Sequence, residues 1–559
     1  MKVDFPLIAL AIAASLSAHA QGVAPSALNQ APAGEWPTYH GDSSGAHFSP
    51  LDQISTRSID RLGLAWTVRP NVSPDGALSG GTVTTAPVGA GNGPPTRTAP
   101  AQIRAQPLVF DGIVYTAAGS QVQALDARTG RAIWRYQWNS RAGGGLGRGV
   151  ALYRDSVIFQ TGNDNHVVSL DAATGMERWR RQVTDSTLGY AGSTAPVIAG
   201  EHLILGMGGD GTNLRAWLES RDPATGELQW KWYVTPAEGE PGIESWPDAK
   251  TAKQGGGMPW QQVTYDAQLD LIYVPTGNPV PVFNGDVRRG DNLYTNSVVA
   301  LHAATGRMAW YFQFTPNDTH DYDATQVPML FDAVIDGRPR KLMAQFNRNG
   351  YYFLLDRITG ESLRTVPFAD AVNWAKGVSR KGQPITDPAK RPQQGGALLS
   401  PNSDGAANYP AASYSPQLSL AYLHAMNSWS LFYLHPEEEN PLGWGGGSEY
   451  HSGYTTTSLL AVEAATGKVV WKHAYPHTGF IVSAYSGLLS TGGGLLFAGD
   501  PDGNFVAYDA ASGKSLWHSL IGSVKAAPLT FMLDGGQYIL VSSDESLYAF
   551  RLNGTVDPR

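Results

Sequence analysis

One recurring pattern governs what this chain can fold into: a short apolar strand, then Asp-Ala-x-Thr-Gly, then a second strand that ends in Trp. It occurs as ALDARTGRAIW ending at Trp134, SLDAATGMERW at Trp179, SRDPATGELQW at Trp230 and ALHAATGRMAW at Trp310. It returns as AVEAATGKVVW at Trp471 and AYDAASGKSLW at Trp517. LLDRITGESLR is a degenerate copy with Arg364 at the Trp position, and RLGLAW, ending at Trp66, is a truncated first copy, which makes eight. In each, Gly supplies a positive φ and Asp and Thr bond the local backbone, so the pattern predicts a hairpin. The Trp at the end of the second strand is large enough to wedge against a neighbouring unit. Further strand-like runs between the copies (PLVFDGIVYTAAG, SVIFQTGND, HLILGMGG, LIYVPTG, GLLFAGD) bring each unit to four short strands. The expected fold is therefore all-β, an eight-bladed β-propeller of four-stranded blades, closed by radial repetition. A two-sheet sandwich array is the rival, but it needs no docking Trp in each unit.

The N-terminus predicts export. Lys2 precedes the apolar, small-residue stretch Phe5 to Ser17, and Ala18-His19-Ala20 fits a small-x-small cleavage site, so residues 1–20 read as a signal peptide and 21–559 as one propeller domain. No other segment approaches the ~20 apolar residues of a membrane span. A net charge of −8 disfavours nucleic acid as a partner. The chain has no cysteine, so it builds neither a disulfide, a thiolate metal site nor a c-type haem attachment. Insertions between Arg364 and Trp471 and at Val72 to Pro100 are expected to lie on one face and shape a binding mouth.

NDTHDYDAT, residues 317–325, sets Asp321 and Asp323 two apart, with no Lys or Arg between Arg307 and Arg338. In an extended segment both would face one side. Two carboxylates at one spot repel, so one holds a proton or a cation lies between them. A solvated turn is the other reading of this spacing.

With the repeat in place, the chain resembles the pyrroloquinoline-quinone (PQQ) dependent alcohol dehydrogenases, periplasmic eight-bladed quinoproteins. The resemblance rests on an ordered set of segments: EWPTYHGDSSGAHFSPLDQI, QGGGMPWQQVTYDAQLDLIYVPTGNP, FTPNDTHDYDAT, FNRNGYYFLLDRITG, GAANYPAASYSP and LLSTGGGLLFAGDPDGNFVAYDAASG. It implies a general base at Asp321 and a cation for the quinone oxygens at Arg348. It implies a PQQ floor at Trp260, cofactor contacts at Arg148 and Asn408, and a hydroxyl contact at Ser193 or Thr194. One metal ion, a lanthanide or Ca²⁺, is implied at Asp210, Asn278, Asp321 and Asp323. The second aspartate, Asp323, resembles the lanthanide-using members, and a trivalent hard cation gains more from an added carboxylate. The substrate implied is an alcohol, with electrons passed to a separate acceptor such as a cytochrome c. Departures accompany the likeness. The family's vicinal cysteine pair falls at Ala142 and Gly143, a family Glu falls at Arg104, a Glu ligand falls at Asp210, and Met258 stands where a hydroxyl residue is usual. A scaffold that keeps the repeat and has lost the cofactor is the competing reading.

Overall fold

The computed structural model describes residues 22–30, 34–70, 103–142, 145–209, 211–324, 326–479 and 486–555. The expected signal peptide and the whole 72–100 insertion lie outside these residues, as does Asp210. Each Asp-x-x-Thr-Gly forms the turn its residues dictate. Asp126 Oδ1 accepts from the backbone N–H of Arg128 at 2.7 Å and of Thr129 at 3.1 Å, joining strands Gln121–Asp126 and Ala132–Gln137. Gly130 closes that turn at φ 70°, and a Cβ there would sit 2.6 Å from the Trp66 ring, so both backbone and neighbour require glycine.

The strands assemble into seven four-stranded sheets and one five-stranded sheet. In chain order their innermost strands are Leu108–Phe110, Leu146–Tyr153, Val197–Ala199, Thr264–Asp266, Met329–Ile335, Ser413–Ser415, Leu489–Thr491 and Leu529–Leu533. These are the eight expected blades. The N-terminal strand Leu62–Val68 pairs with Ser546–Leu552 and forms the outer strand of the last blade, so the two ends of the described chain share one sheet.

Blade-to-blade contact is made by the repeat itself. Trp66 Nε1 donates to Ala127 O of the first blade at 2.9 Å, Trp134 to Ala172 O at 2.8 Å, Trp230 to Ala303 O at 2.8 Å and Trp471 to Ala510 O at 3.1 Å. Every acceptor is the second residue of the next copy of the pattern. Trp179 lies against Gly226, Trp310 against Gly360, and Trp517 packs edge-on against Phe550 with centroids 5.4 Å apart. The degenerate copy is bridged differently. Arg364 pairs with Asp336 at 2.8 Å, and Tyr352 from the same blade sends its hydroxyl to Ala464 O at 2.6 Å. The insertion after Arg364 folds into a two-stranded ribbon and a three-stranded sheet, Ala397–Leu399, Ser430–Leu434 and Gly447–His451.

Residues 36–49 run along the inner ends of the blades. Trp36 bonds Val109, Ser43 O accepts from Tyr265 N, Ser44 O from Leu330 N and Ala46 O from Tyr414 N, and Phe48–Ser49 pairs in parallel with Ser490 and Thr491. This segment buries His40 and His47, whose Nδ1 atoms are 3.3 Å apart. His47 Nε2 faces Pro528 O at 3.1 Å and must carry its proton there, so its Nδ1 accepts and His40 Nδ1 donates. Burial holds His40 well below the ordinary imidazole range and lowers His47 to about 4.

The sign of the consequence follows. An unfolded imidazole takes up a proton as pH falls through about 6.5, whereas the folded His47 resists until about 4. Its contribution is complete above the first value and is lost through that window, at a cost of up to about 3 kcal/mol. The melting temperature should therefore fall steeply between these pH values, and His47→Gln should fall less steeply; equal slopes would contradict the assignment. Truncating a docking indole tests the ring. Trp134→Ala, at a site 1% exposed, should lower unfolding free energy by about 3–5 kcal/mol in denaturant titration.

Candidate active site

The loop carrying the two aspartates is held by its own neighbours. Asp318 Oδ2 accepts from Tyr322 N at 2.8 Å and Oδ1 from His320 N at 3.1 Å, which curls the segment back on itself. Asn296 Nδ2 donates to Tyr322 O at 2.7 Å, and the Tyr322 hydroxyl to Pro401 O at 2.5 Å. Fully buried Arg288 donates to Asp318 O at 2.5 Å. Burial lowers the Arg288 guanidinium to about 9, so it stays charged at neutral pH.

The segment is not the extended strand that the spacing allows. Asp321 has φ 66°, a left-handed conformation that a non-glycine residue keeps only when its surroundings impose it. The two carboxylates nevertheless converge, and the cation between them comes from another blade. Arg348 Nη1 donates to Asp321 Oδ2 at 2.7 Å and to Asp321 O at 2.7 Å, while Nη2 lies 3.4 Å from Asp323 Oδ2. All three residues are buried. Pairing compensates the desolvation that two buried carboxylates would otherwise incur. Gly405 makes room for the clamp: it has φ 81°, and a Cβ there would lie 1.8 Å from Arg348 Cγ.

Asp323 also organises the wall of the site. Its Oδ2 accepts from Trp260 Nε1 at 2.8 Å and its Oδ1 from Asn278 N at 2.5 Å. Asn278 Nδ2 is spent on Pro279 O at 3.1 Å, which leaves Oδ1 as the side-chain atom able to meet a cation. The Trp260 ring carries two guanidiniums, Arg148 at 5.0 Å and Arg348 at 5.8 Å from its centroid. Arg148 also lies 4.4 Å from the Tyr409 ring. Burial lowers the Arg148 pKa, opposed by the nearby Tyr39 and Tyr409 hydroxyls. Its Nε is buried and has no hydrogen-bond partner.

Six of the sequence-selected residues are thus in one place: Asp321, Asp323, Asn278, Trp260, Arg348 and Arg148. Ser193 joins them through its carbonyl, which accepts from Arg148 N at 3.2 Å, and its buried hydroxyl has no partner. Thr194 turns its hydroxyl to Gly206 N at 3.3 Å and Gln160 Oε1 at 3.4 Å, so of the two it is the structurally committed one. Asn408 spends its amide locally, donating to Asp404 O and accepting from Tyr409 N, each at 2.8 Å. Asp210 lies outside the described residues, among which no three His, Cys, Asp or Glu side chains form a ready metal cage. The oxygen donors from Asp321, Asp323 and Asn278 are the chemistry a hard cation takes. Met258 fills the space over Gly208, where a Cβ would meet its Cγ at 2.5 Å. The sequence did not mark Asp318, Arg288 or Tyr409. Tyr409 lay beside a selected residue and Asp318 inside NDTHDYDAT, though without an assigned role, whereas Arg288 carries no local signal.

Residues 36–395 match the family model described as the glucose/ethanol/alcohol dehydrogenase β-propeller domain, and 455–557 match the one described as outer membrane protein assembly factor BamB. The chain is 32% identical to quinohemoprotein alcohol dehydrogenase ADH IIB of Pseudomonas putida, covering 96% of this chain and 77% of that protein. The crystal structure of the quinohemoprotein alcohol dehydrogenase from Comamonas testosteroni superposes with a TM-score of 0.80 at 30% identity, covering 93% of this chain and 81% of that one. A europium-containing methanol dehydrogenase superposes with a TM-score of 0.79 at 27% identity, over 93% and 98% of the two chains.

The clamp has a direct test. Gly405→Ala should destabilise the protein by about 1–3 kcal/mol through its left-handed backbone and the displaced Arg348. Gly395→Ala, which meets nothing within 4 Å, should be neutral in the same thermal melts. Equal melting temperatures for the two variants would show that Arg348 is not fixed from this side.

Proposed function

Because the chain belongs to the family of PQQ-dependent alcohol dehydrogenases, we propose that Asp321 is the base of an exported quinoprotein that oxidises an alcohol. The observation that carries this is the convergence of Asp321 and Asp323 on Arg348 beside the Trp260 ring. PQQ, when bound, supplies the two-electron acceptor for the hydrogen removed from the alcohol carbon. A hard cation held by Asp210, Asn278, Asp321 and Asp323 would supply Lewis acidity.

The chain's own residues do the rest. Trp260, fixed at its Nε1 by Asp323, offers a flat face to a planar ring system. Arg148, with its buried and unpartnered Nε, and the open Ser193 hydroxyl suit an anionic, hydrogen-bond-accepting ligand. Asn408 supports this side by shaping the turn that presents Tyr409 to Arg148. Asp321 accepts the alcohol proton at its carboxylate, held in place by two bonds from Arg348 Nη1. Arg348 also places positive charge where negative charge would develop on the acceptor. Residues 1–20 would direct export to the periplasm. With no cysteine for covalent haem, electrons would pass to a separate acceptor such as a cytochrome c.

Asp323 invites two accounts. A second carboxylate favours a trivalent cation, which makes a lanthanide the proposed metal. It also bonds Trp260 and Asn278, which would make it a support for any metal. Reconstitution with PQQ and either Ca²⁺ or a light lanthanide, assayed by dye reduction with a panel of alcohols, addresses both. The wild type should turn over, and Asp321→Asn should lose about 10²–10⁴-fold in kcat. Asp323→Ala should lose lanthanide-supported activity selectively; equal loss with both metals would leave the supporting role alone. No PQQ absorbance and no turnover with any combination would refute the enzymatic reading.

A further inference from the structure

A cavity of about 320 Å³ opens beside Arg148, walled by Arg104, Ala118, Gly119, Gly145 and Gly147. Apart from Arg104 and Leu146 its walls are alanine and glycine, so a ligand edge can approach the backbone there. The strand ends around it are tied together. Gln106 N donates to Arg148 O at 3.0 Å, and Gln106 Nε2 to Ala527 O at 3.0 Å. Arg104 and Lys525 each lie two residues ahead of these anchors, and Arg148 lies one residue ahead of Gly149, which pairs with Gln106. Arg104 of the first blade thus lines the cavity, and Arg148 of the second and Lys525 of the last stand on strand ends tied to the same Gln106.

They are close enough to feel one another. Burial lowers the Arg148 pKa, and Arg104 adds to the lowering. Burial likewise lowers Lys525, with Arg104 adding and Asp544 opposing. Asp544 spends Oδ2 on Ser523 N at 3.3 Å. Among the described residues neither Arg104 nor Arg148 has a carboxylate within ion-pair distance. A chain of net charge −8 that collects three cations at a cavity is arranged for an anion.

Resting on the PQQ reading, we propose that Arg104 and Lys525 join Arg148 in a three-cation rim that grips the carboxylates of PQQ. Arg104 stands where the family resemblance implies a Glu, and the vicinal cysteine pair is replaced by Ala142 and Gly143. Retention of the cofactor by charge is thus a property of this chain's own residues. Bidentate or charge-assisted bonds from Arg and Lys to carboxylates are the chemistry at work.

The test is binding, not turnover. The apo-protein is titrated calorimetrically with PQQ and with its trimethyl ester, at low and at raised ionic strength. Arg104→Glu and Lys525→Met should each weaken PQQ by about tenfold or more and flatten its salt dependence. Neither should change the affinity for the ester. Arg104→Gln, at an exposed site, gives a second reading should the charge reversal disturb folding, and melting curves check all variants. Wild-type affinity and salt dependence in these variants, alongside weakened binding in Arg148→Ala, would overturn the rim and leave the PQQ reading intact. A wild-type protein that binds no PQQ would overturn both.

Discussion

The bond on which the rest of the structure depends runs from an indole N–H to the carbonyl at the next copy of the hairpin turn. A four-stranded blade of this size cannot bury its own faces and is stable only against its neighbours. The docking Trp supplies both large apolar area and a directional bond, so it fixes the angle between blades as well as their contact. Where the bond forms, the acceptor is the second residue of the turn, so the repeat carries both halves of those joints. The last joint is made by Trp66, which belongs to the N-terminal strand yet sits in the last blade and docks on the first. Ring closure therefore uses the same bond that Trp134, Trp230 and Trp471 make at three other joints.

That redundancy explains why the fold was legible in the sequence. Copies at Trp134, Trp179, Trp230, Trp310, Trp471 and Trp517 repeat one physical requirement, and the requirement survives at the one place where the pattern fails. There Tyr352, on a different strand of the blade, delivers a hydroxyl to Ala464 O. A tyrosine on a strand has no marker that distinguishes it from core, so this substitution was invisible. The site was legible to the extent that its residues sit in contiguous motifs. What the motifs could not give was the partner of the paired aspartates. The local sequence has no Lys or Arg between Arg307 and Arg338, and spacing alone offered a strand or a solvated turn. The fold supplies Arg348 from the next blade and bends Asp321 to positive φ to meet it.

Charge is distributed unevenly for a reason that packing alone does not give. The chain is acidic overall, yet Arg148 and Arg348 share the Trp260 ring, and Arg104 acts electrostatically on both Arg148 and Lys525. Burying cations without partners is costly, and Arg148 meets that cost only partly by lying on the Trp260 and Tyr409 rings. Arg288 shows the opposite solution, with four of its five N–H groups bonded to the carbonyls of Pro281, Val282 and Asp318 and the side chain of Asn292. Arg288, which braces a loop, uses all three of its nitrogens, whereas the Arg148 Nε is buried without a partner.

Asp323 ties these elements together. One of its oxygens holds the Trp260 indole and lies near Arg348, and the other holds the backbone of Asn278. The ring that would carry a planar ligand, the clamp that fixes Asp321 and the strand end that presents an amide oxygen are thus all bonded to one carboxylate. A cation that drew on Asp323 would compete with these bonds directly. Its arrival would be felt at the Trp260 ring and at Arg348 together, so occupancy of such a position and orientation of the ring would be mechanically linked. In this chain the second aspartate would then be both a charge for a cation and the part that makes the wall of the site respond to it.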